Sequence, residues 1–466
     1  MFERGNRKRA RRRARLVTNA AIVTATVTAI AIATTGAAGR AAAQEGVTRL
    51  PETVVTATRI ETPAREIGSS VSVITGRELE RRQIRQLSDA LRTVPSAVVS
   101  ASGGFGSATQ VRLRGAEANQ TLVLIDGIEV NDPAGGSEFN FGDLLASDVA
   151  RVEVLRGPQS ALYGSDAMGG VINIITKRPR PGLTVKSSVE GGSLRTGQAH
   201  VFASGGAERY DFAVSGTRFH TDGISAAAES DGNNEQDSND NATLSTKLHA
   251  NPVDALDIDL VGRYTNTTLQ TDGFVAALGA VDDNSETRSR QRFGRAQAKL
   301  HLFGGAWDHA VGVAFSQDDR ENRNNGNVDS VFKGDRVKLD YRSNLFFDTG
   351  VLVDATHTAT FALEHEEENV LSQSAFTDVD RRIKTDSVIG EYQLGLADRL
   401  FLTGAVRHDD NDFFENATTY RTTAAYVLDS TGTKLKGSYG TAVKNPTLFE
   451  LFGFASTFKG NPDLRP

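Results

Sequence analysis

Two-residue alternation of side-chain polarity runs through the chain from about residue 183 onward, and it constrains the fold more than any other feature. In Trp307–Ser316, the odd-numbered positions are Trp, His, Val, Val and Phe, whereas the even-numbered positions are Asp, Ala, Gly, Ala and Ser. Leu256–Tyr264 repeats the pattern. This period places alternate residues on opposite faces of a β-strand, whereas an amphipathic helix would repeat every three or four residues. The pattern predicts about thirteen strands before Val443.

The lengths of these strands and of their connections indicate the kind of sheet. Many predicted strands have about 10–14 residues, whereas strands of soluble sheets usually have about five or six. Short turns such as Gly304-Gly305 alternate with long polar segments, which are 221–242, 270–289, 320–331 and 371–382. Long alternating strands with short turns at one end and long loops at the other are typical of a transmembrane antiparallel β-barrel. A soluble β-sandwich or propeller is the alternative, but shorter strands would be expected.

The composition fits a barrel with a wet interior. Hydrophobic residues make up 39% of the chain and the mean hydropathy is −0.32, which excludes a helical membrane bundle. There is no cysteine, so disulfide scaffolds, thiolate metal sites and cysteine nucleophiles are excluded. Acidic residues outnumber basic ones in residues 44–466, which argues against a nucleic-acid partner.

Residues 1–43 are predicted to be a signal peptide. A basic block at 4–15 precedes an Ala- and Thr-rich stretch at 16–39, and Ala41-Ala42-Ala43 provides an A-x-A cleavage pattern. A transmembrane anchor is the alternative, but the stretch is rich in Thr and contains one Leu. We expect export by the general secretory route and a mature chain that starts near Gln44.

Residues 60–178 have a different pattern, which predicts a compact α+β domain. Val71–Thr75 and Gly170–Thr176 read as strands, and Asp126-Gly127 is a favoured two-residue hairpin turn. Ser88–Val94 reads as a short helix with Ser88 as its N-cap. The sequence therefore predicts an α+β domain followed by a β-barrel.

Six motifs occur in this order along the chain. They are ETVVTATR (Glu52–Arg59), LVLIDG (Leu122–Gly127), RVEVLRGP (Arg151–Pro158), SALYGSDAMGGVINIIT (Ser160–Thr176), KNP (Lys444–Pro446) and GNPDL (Gly460–Leu464). In this order and at these distances the chain resembles the TonB-dependent outer-membrane receptors, and the resemblance covers residues 52–466. Within that family it is most similar to the vitamin B12 (cobalamin) receptors, through Thr53–Arg59 and Leu91–Asp132.

The resemblance implies a domain organisation. Residues 60–178 would form a plug inside a barrel that begins at residue 183. Residues 44–59 would form a periplasmic lead that carries the TonB box, Thr53, Val54, Val55, Thr56 and Ala57, which TonB and its inner-membrane energising complex would pull. A Thr- and Val-rich segment suits capture by strand addition, although it could also be the first strand of the plug. Family barrels have about 22 strands, so we expect residues 183–466 to be a C-terminally incomplete barrel.

The resemblance also implies a function without covalent chemistry. The intact protein would transport a large, scarce ligand, cobalamin, across the outer membrane. It would depend on the barrel assembly machinery and on outer-membrane lipid. Siderophore or haem receptors share these motifs and remain alternatives, as does a passive porin-like barrel or a secreted β-rich enzyme. The substrate would touch two plug loops through Ser102, Gly103, Gly104, Phe105, Asn131, Asp132 and Pro133, unless these loops pack against the barrel wall.

Two acidic segments are candidate metal sites. No Lys or Arg lies between Arg218 and Lys247, and carboxylates are frequent there, which suits the six to eight oxygen ligands of Ca²⁺. The candidate ligands are Asp222, Asp231, Glu235, Asp237 and Asp240. Calcium in outer loops also agrees with the resemblance to cobalamin receptors, and a solvated loop is the alternative. The run Glu364–Glu368 is interpreted as a charged rim at a strand end rather than as a metal site.

Overall fold

A computed structural model describes residues 53–179, 182–225, 236–275, 279–350, 354–375, 378–455 and 458–466. The predicted signal peptide lies outside these residues. No helix in the described ranges is long and apolar enough to cross a membrane.

The N-terminal domain, the plug, is built around a mixed five-stranded sheet with the strand order β3-β8-β9-β6-β7. Its strands are β1 (Thr53–Val54), β2 (Thr62–Pro63), β3 (Ser70–Thr75), β4 (Ala97–Ala101), β5 (Thr109–Leu113), β6 (Thr121–Ile125), β7 (Ile128–Glu129), β8 (Val149–Arg156) and β9 (Gly170–Thr176). Its α-helices are α1 (Gly76–Arg81), α2 (Leu87–Leu91) and α3 (Ser160–Tyr163), and its 3₁₀ helices are Ala64–Glu66, Ala118–Gln120, Pro133–Gly135 and Phe141–Asp143. Apolar side chains on β8 and β9 are fully buried, which makes these two strands the centre of the plug.

Local sequence signals predicted most of these elements. β9 has the predicted bounds, and Asp126 and Gly127 form the hairpin turn with φ values of 52° and 81°. The prediction that Ser88 caps α2 is wrong, because the helix starts one residue earlier and Ser88 is buried inside it. The N–H of Leu87 donates instead to Leu144 O at 3.1 Å, so a tertiary contact replaces the side-chain cap.

The C-terminal region is one antiparallel sheet of thirteen strands in sequential order, as predicted. The strands are β10 (Thr184–Gly191), β11 (Gly197–Ala207), β12 (Tyr210–Thr221), β13 (Asn239–Val253), β14 (Leu256–Val275), β15 (Gly279–Leu302), β16 (Trp307–Asn324), β17 (Asn327–Thr349), β18 (Ala355–Ser374), β19 (Asp378–Leu396), β20 (Leu400–Asn411), β21 (Ala417–Leu428) and β22 (Thr433–Gly440). A 3₁₀ turn (Phe303–Gly305), α4 (Leu448–Phe452) and the pair β23 (Phe454–Ala455) and β24 (Phe458–Lys459) complete the chain. In the described ranges β10 and β22 are the ends of the sheet and do not pair with each other.

In three of the four predicted long loops, the residues that the structure describes are instead extensions of paired strands. These three segments are 270–289, 320–331 and 371–382. β16 and β17, for example, stay paired up to Asn324 and Asn327. A membrane-spanning strand needs only about 9–11 residues, whereas β15 has 24. Hydrophobic alternation ends where a strand leaves the lipid. Backbone pairing does not depend on this alternation, so the strands continue into polar sequence. The prediction of loops in these polar segments is therefore wrong.

The alternation separates two faces of the sheet. On β16 the side chains of Val311, Val313 and Phe315 point away from the plug and are 59%, 41% and 36% exposed. Lys247 and Arg263, on β13 and β14, reach the plug instead and bind Asp126 and Asp148 at 2.6 and 2.5 Å. The sheet therefore presents an apolar outer face and a polar face that holds the plug.

We predict that Val313→Arg impairs assembly of the barrel, whereas Gln297→Arg is tolerated. Val313 faces outward, and an Arg at the lipid-facing midplane of a barrel costs about 2–4 kcal/mol. Gln297 lies on the plug side and lines a cavity. The measurement is the folded, heat-modifiable fraction of the full-length protein in outer-membrane fractions. Equal folded fractions for the two variants would contradict the assignment of faces.

Candidate functional site: the docked N-terminal segment

The predicted TonB box, Thr53–Ala57, is packed into the plug. β1 pairs with β2 through Thr53↔Pro63 and Val54↔Thr62, and Val54, Thr56 and Ala57 have no exposed surface. Val54 and Ala57 join an apolar cluster with Leu122 and Leu155. In this conformation the start of the segment forms the first strand of the plug, the alternative that the sequence left open. The role of the segment as a TonB box stays a prediction.

One buried carboxylate holds the middle of this segment. The Oε2 atom of Glu153 accepts hydrogen bonds from the backbone N–H groups of Val55 and Thr56, both at 2.9 Å, and from Thr56 Oγ1 at 2.6 Å. Its Oε1 atom accepts from Arg151 Nε at 2.8 Å. Burial of a carboxylate is costly unless it is paired and hydrogen-bonded, and Glu153, which is fully buried, has four donors.

The carbonyl groups of the segment are bound as well. Tyr163 Oη donates to Thr56 O at 2.9 Å, and Arg421 Nη1 on β21 donates to Ala57 O at 3.0 Å. Burial raises the pKa of Tyr163, so the phenol keeps the proton that it donates. The segment is therefore fixed by the plug through Glu153 and Tyr163 and by the barrel wall through Arg421.

Arg59, just after the box, is a second point of attachment. Its guanidinium donates to Leu162 O at 3.2 Å and pairs with Glu364 on β18 at 2.5 Å, while Arg342 Nη1 on β17 donates to Arg59 O at 2.5 Å. Arg59 has a φ of 60°, which is strained for a residue with a side chain. The surrounding contacts offset this strain, so their loss favours a different backbone conformation.

Glu364 belongs to the acidic run Glu364–Glu368, whose predicted position at a strand end is wrong. Glu364–Glu368 lies inside β18 rather than at a strand end, and alternation divides the run between the two faces. Glu364, Glu366 and Glu368 face the plug, and Glu364 binds three cations: Arg59, Lys338 at 3.3 Å and Arg407 at 2.8 Å. Glu366 and Glu368 pair with Arg336, which also binds Glu129 of the plug at 3.3 Å. The predicted rim is in fact part of the plug–wall contact.

A cavity of about 780 Å³ lies between the plug and the wall beside this attachment. Val55 and Arg59 line it, together with the Asp126-Gly127 turn and the wall residues Arg295 and His301. This volume is far larger than the space that one water molecule needs. The docked segment therefore borders a space where water can replace its hydrogen bonds.

The two predicted substrate loops differ in accessibility. Ser102, Gly103 and Gly104 are exposed, while Phe105 packs against Phe219 on β12 with ring centroids 5.1 Å apart. Phe105 therefore anchors its loop to the wall. Substrate contact by this loop stays a prediction.

Asn131, Asp132 and Pro133 are buried, and substrate contact by these residues stays a prediction. The Asn131 side chain donates to Thr121 O and Ser137 O, and it accepts from Val123 N at 2.8 Å. Asp132 caps the 3₁₀ helix Pro133–Gly135 through Ala134 N at 2.9 Å. These polar residues maintain the shape of the loop.

Two carboxylates of the acidic segment are paired with basic side chains nearby. Asp222 pairs with Arg195 at 3.2 Å, and Asp240 pairs with Arg218. Asp231 and Glu235 lie outside the described residues, and Asp237 has interactions of its own. Among the residues that the structure describes, no three His, Asp or Glu side chains gather to hold a metal ion. Calcium binding stays a prediction, but the premise of an uncompensated cluster is wrong for Asp222 and Asp240.

Comparison with known proteins agrees with this architecture. Residues 63–171 match the family described as TonB-dependent Receptor Plug Domain, and residues 186–466 match the family described as TonB dependent receptor-like, beta-barrel. The second match alone covers more than half of the chain. The chain belongs to the TonB-dependent receptor family. This is a family of outer-membrane receptors and transporters rather than a class of enzymes.

Two curated relatives of this receptor are named vitamin B12 transporter BtuB. The protein from Photobacterium profundum is 29% identical over 419 residues, and that from Vibrio vulnificus is 30% identical over 425 residues. Each alignment covers 89% of this chain and 65% of the relative, so the chain spans about two thirds of their length. The crystal structure of the siderophore receptor PirA from Acinetobacter baumannii has a TM-score of 0.68 at 18% identity. That match covers 86% of this chain and 67% of PirA, and it confirms the fold.

Sequence reasoning on this receptor missed Glu153 and the role of Glu364. Glu153 interrupts the apolar strand Val152–Leu155, and a charge in a buried strand is itself a sign of a specific partner. Period-two alternation places Glu364, Glu366 and Glu368 on one face, which was readable from the sequence. The partner Arg59 depends on how the plug sits and was not readable, whereas Arg336 lies directly opposite Glu368 on the neighbouring strand β17.

We predict that Glu364→Gln strongly destabilises the docked plug of the receptor. Glu364 has a side chain that is 1% exposed and compensates three cations. Removal of one partner from a buried ion pair costs about 3–5 kcal/mol. The measurement is the urea concentration at which protease first cleaves the plug of the full-length receptor.

The control for this prediction is Glu367→Gln, on the opposite face of the same strand. Glu367 pairs with Arg382 and Lys384 at 3.3 and 3.4 Å near solvent. Surface pairs contribute little to stability, so the cleavage midpoint should barely move. Equal effects of the two substitutions would contradict the assigned role of Glu364.

We predict that the docked plug is more stable at pH 5 than at pH 8. Burial raises the pKa of Glu129 to about 8 despite Arg336, and burial raises the pKa values of Asp132 and Asp143 to about 7. Between their ordinary pKa values near 4 and these raised values, the folded state binds more protons than the unfolded state. Stability therefore falls as the pH rises through this window. Each pKa unit corresponds to about 1.4 kcal/mol.

The same protease assay at the two pH values tests this prediction. Glu129→Gln should reduce the difference between pH 5 and pH 8, because an amide does not titrate. Glu208→Gln, in the exposed turn between β11 and β12, is the control and should leave the difference unchanged. A plug that is equally stable at both pH values would refute the burial argument.

Proposed function

We propose that the protein imports cobalamin across the outer membrane and that TonB supplies the energy by pulling on Thr53–Ala57. The similarity to two vitamin B12 transporters over 89% of the chain supports cobalamin as the ligand. The observation that carries the coupling is the attachment of the predicted box to the central plug strand β8 through Glu153. Export by the secretory route through residues 1–43 is part of this proposal.

The attachment suggests how a pull would act on the plug. Force on the segment reaches Glu153, and β8 lies between β3 and β9 in the sheet. Force also reaches the wall through Arg59 and Glu364. Several plug–wall contacts near the segment are ion pairs and hydrogen bonds beside the cavity, and water can replace such contacts. A pull can therefore loosen the plug while its apolar core stays packed.

On the outer side, the exposed Ser102–Gly104 turn would contact the ligand. Its anchor, Phe105, packs on the wall residue Phe219, so ligand contact and the plug–wall contact are adjacent. A bound ligand that shifts this turn would change the plug–wall interface, and TonB would pull on that interface from the periplasmic side. An iron chelate would use the same route and is the alternative ligand within the family.

Uptake of labelled cobalamin by a strain that lacks the chromosomal gene and carries the full-length receptor tests this proposal. We expect uptake only when both the receptor and TonB are present. Val55→Pro should abolish uptake without lowering cobalamin binding, because it removes a backbone donor and prevents strand addition. Val55→Ile, which keeps the backbone donor, should retain uptake.

The contrary outcomes separate the alternatives. Normal cobalamin uptake without the receptor, together with loss of iron-chelate uptake, would show that the transported ligand is an iron chelate rather than cobalamin. Uptake that persists after deletion of Thr53–Ala57 would favour a passive barrel and would contradict the coupling role of this segment.

A further inference from the structure

The hydrogen bonds of Val55 and Thr56 have an unusual geometry. Two consecutive backbone N–H groups and the Thr56 hydroxyl converge on one oxygen atom, Glu153 Oε2, at 2.9, 2.9 and 2.6 Å. In a regular strand, successive N–H groups point to opposite sides and meet different partners. The segment is therefore folded around the carboxylate and is not ready to pair with an external strand.

Strand addition requires the same backbone groups that are engaged here. A strand that pairs with a partner's sheet edge uses its backbone N–H and C=O groups. In the docked state, Glu153 occupies the N–H groups of Val55 and Thr56, while Tyr163 and Arg421 occupy the carbonyl groups of Thr56 and Ala57. The docked and the captured conformations are therefore mutually exclusive.

Glu153 makes more hydrogen bonds to the segment than the other competitors. It accepts three, from Val55 N, Thr56 N and Thr56 Oγ1, whereas Tyr163 and Arg421 each donate one. Hydrogen bonds to a carboxylate are about twice as strong as neutral ones. The Glu153 carboxylate also keeps polar neighbours after the segment is released. Arg151 stays bound to Oε1 at 2.8 Å, and Asn173, its cross-strand neighbour on β9, donates to Thr56 Oγ1 and lies beside the carboxylate. The plug can therefore keep its fold in both conformations.

We propose that Glu153 is a positioning residue that sets the equilibrium between the docked and the released box, because its carboxylate occupies the amides that TonB must take. This inference rests on the proposed function and adds a regulator to it. The apparent affinity of a partner is reduced by the fraction of receptor in the competent conformation. Weaker docking must therefore tighten TonB binding, whereas general damage to the plug would not create a tighter complex.

The test measures the dissociation constant of the purified periplasmic domain of TonB for the full-length receptor in detergent, without transport ligand. Glu153→Gln should lower the dissociation constant at least tenfold, which corresponds to about 1.4 kcal/mol. Glu80→Gln is the matched control, because Glu80 is an exposed plug residue that pairs with Lys177. The control should bind TonB as the wild type does.

Amide hydrogen exchange provides a second readout. In Glu153→Gln the amides of Val55 and Thr56 should exchange faster, while Ile172 and Ile174 in β9 should stay protected. Glu153→Asp keeps the buried charge but withdraws the oxygen atoms by one methylene. It should shift both readouts in the same direction even if Glu153→Gln disturbs β9.

Unchanged affinity and unchanged box exchange in Glu153→Asp, with β9 protected, would overturn the inference and leave the proposed function intact. Weaker TonB binding in both Glu153 variants would also overturn it, because it would give the carboxylate a purely structural role. If wild-type receptor does not bind TonB, or binds it equally well without Thr53–Ala57, the proposed function fails and this inference fails with it.

Discussion

The polar contact between the plug and the inner face of the sheet is the interaction on which the rest of the structure depends. A sheet with an apolar outer face leaves its other face lined with charges, and these charges are buried once a plug fills the space. Glu364 with Arg59, Lys338 and Arg407 shows how the requirement for partners is met. A buried charge without a partner is costly, so these pairs fix the plug in one position.

Such contacts hold the plug firmly and still allow it to move. An apolar interface of the same size would lose its stabilisation when water entered, whereas ion pairs and hydrogen bonds can be exchanged for water. The cavity of about 780 Å³ beside Val55 and Arg59 brings that water to the docked segment. The apolar core of the plug, centred on β8 and β9, consists mostly of plug residues and also touches the wall at Phe293 and Ala314. The molecule thus combines an apolar plug core with an interface that contains replaceable polar contacts.

The fold was largely predictable from the sequence, whereas the site was only partly so. Alternation predicted the thirteen strands, because each strand has a lipid side and a plug side, but it could not show that strands continue into polar hairpins. Asp222 and Asp240 looked uncompensated because their partners, Arg195 and Arg218, come from neighbouring segments that only the strand register brings together. Asn131 was expected to contact substrate, but its side-chain amide is hydrogen-bonded to three backbone groups. The Thr53–Ala57 motif was found, while its docking on Glu153 depends on tertiary structure.

The central claim is that this segment is docked through its backbone in the receptor at rest. Amide hydrogen exchange of Val55 and Thr56 in the full-length receptor, without TonB and without ligand, tests the claim most directly. The account predicts strong protection of both amides, lost only on release of the segment. Exchange of both amides at the rate of an unstructured peptide would contradict it.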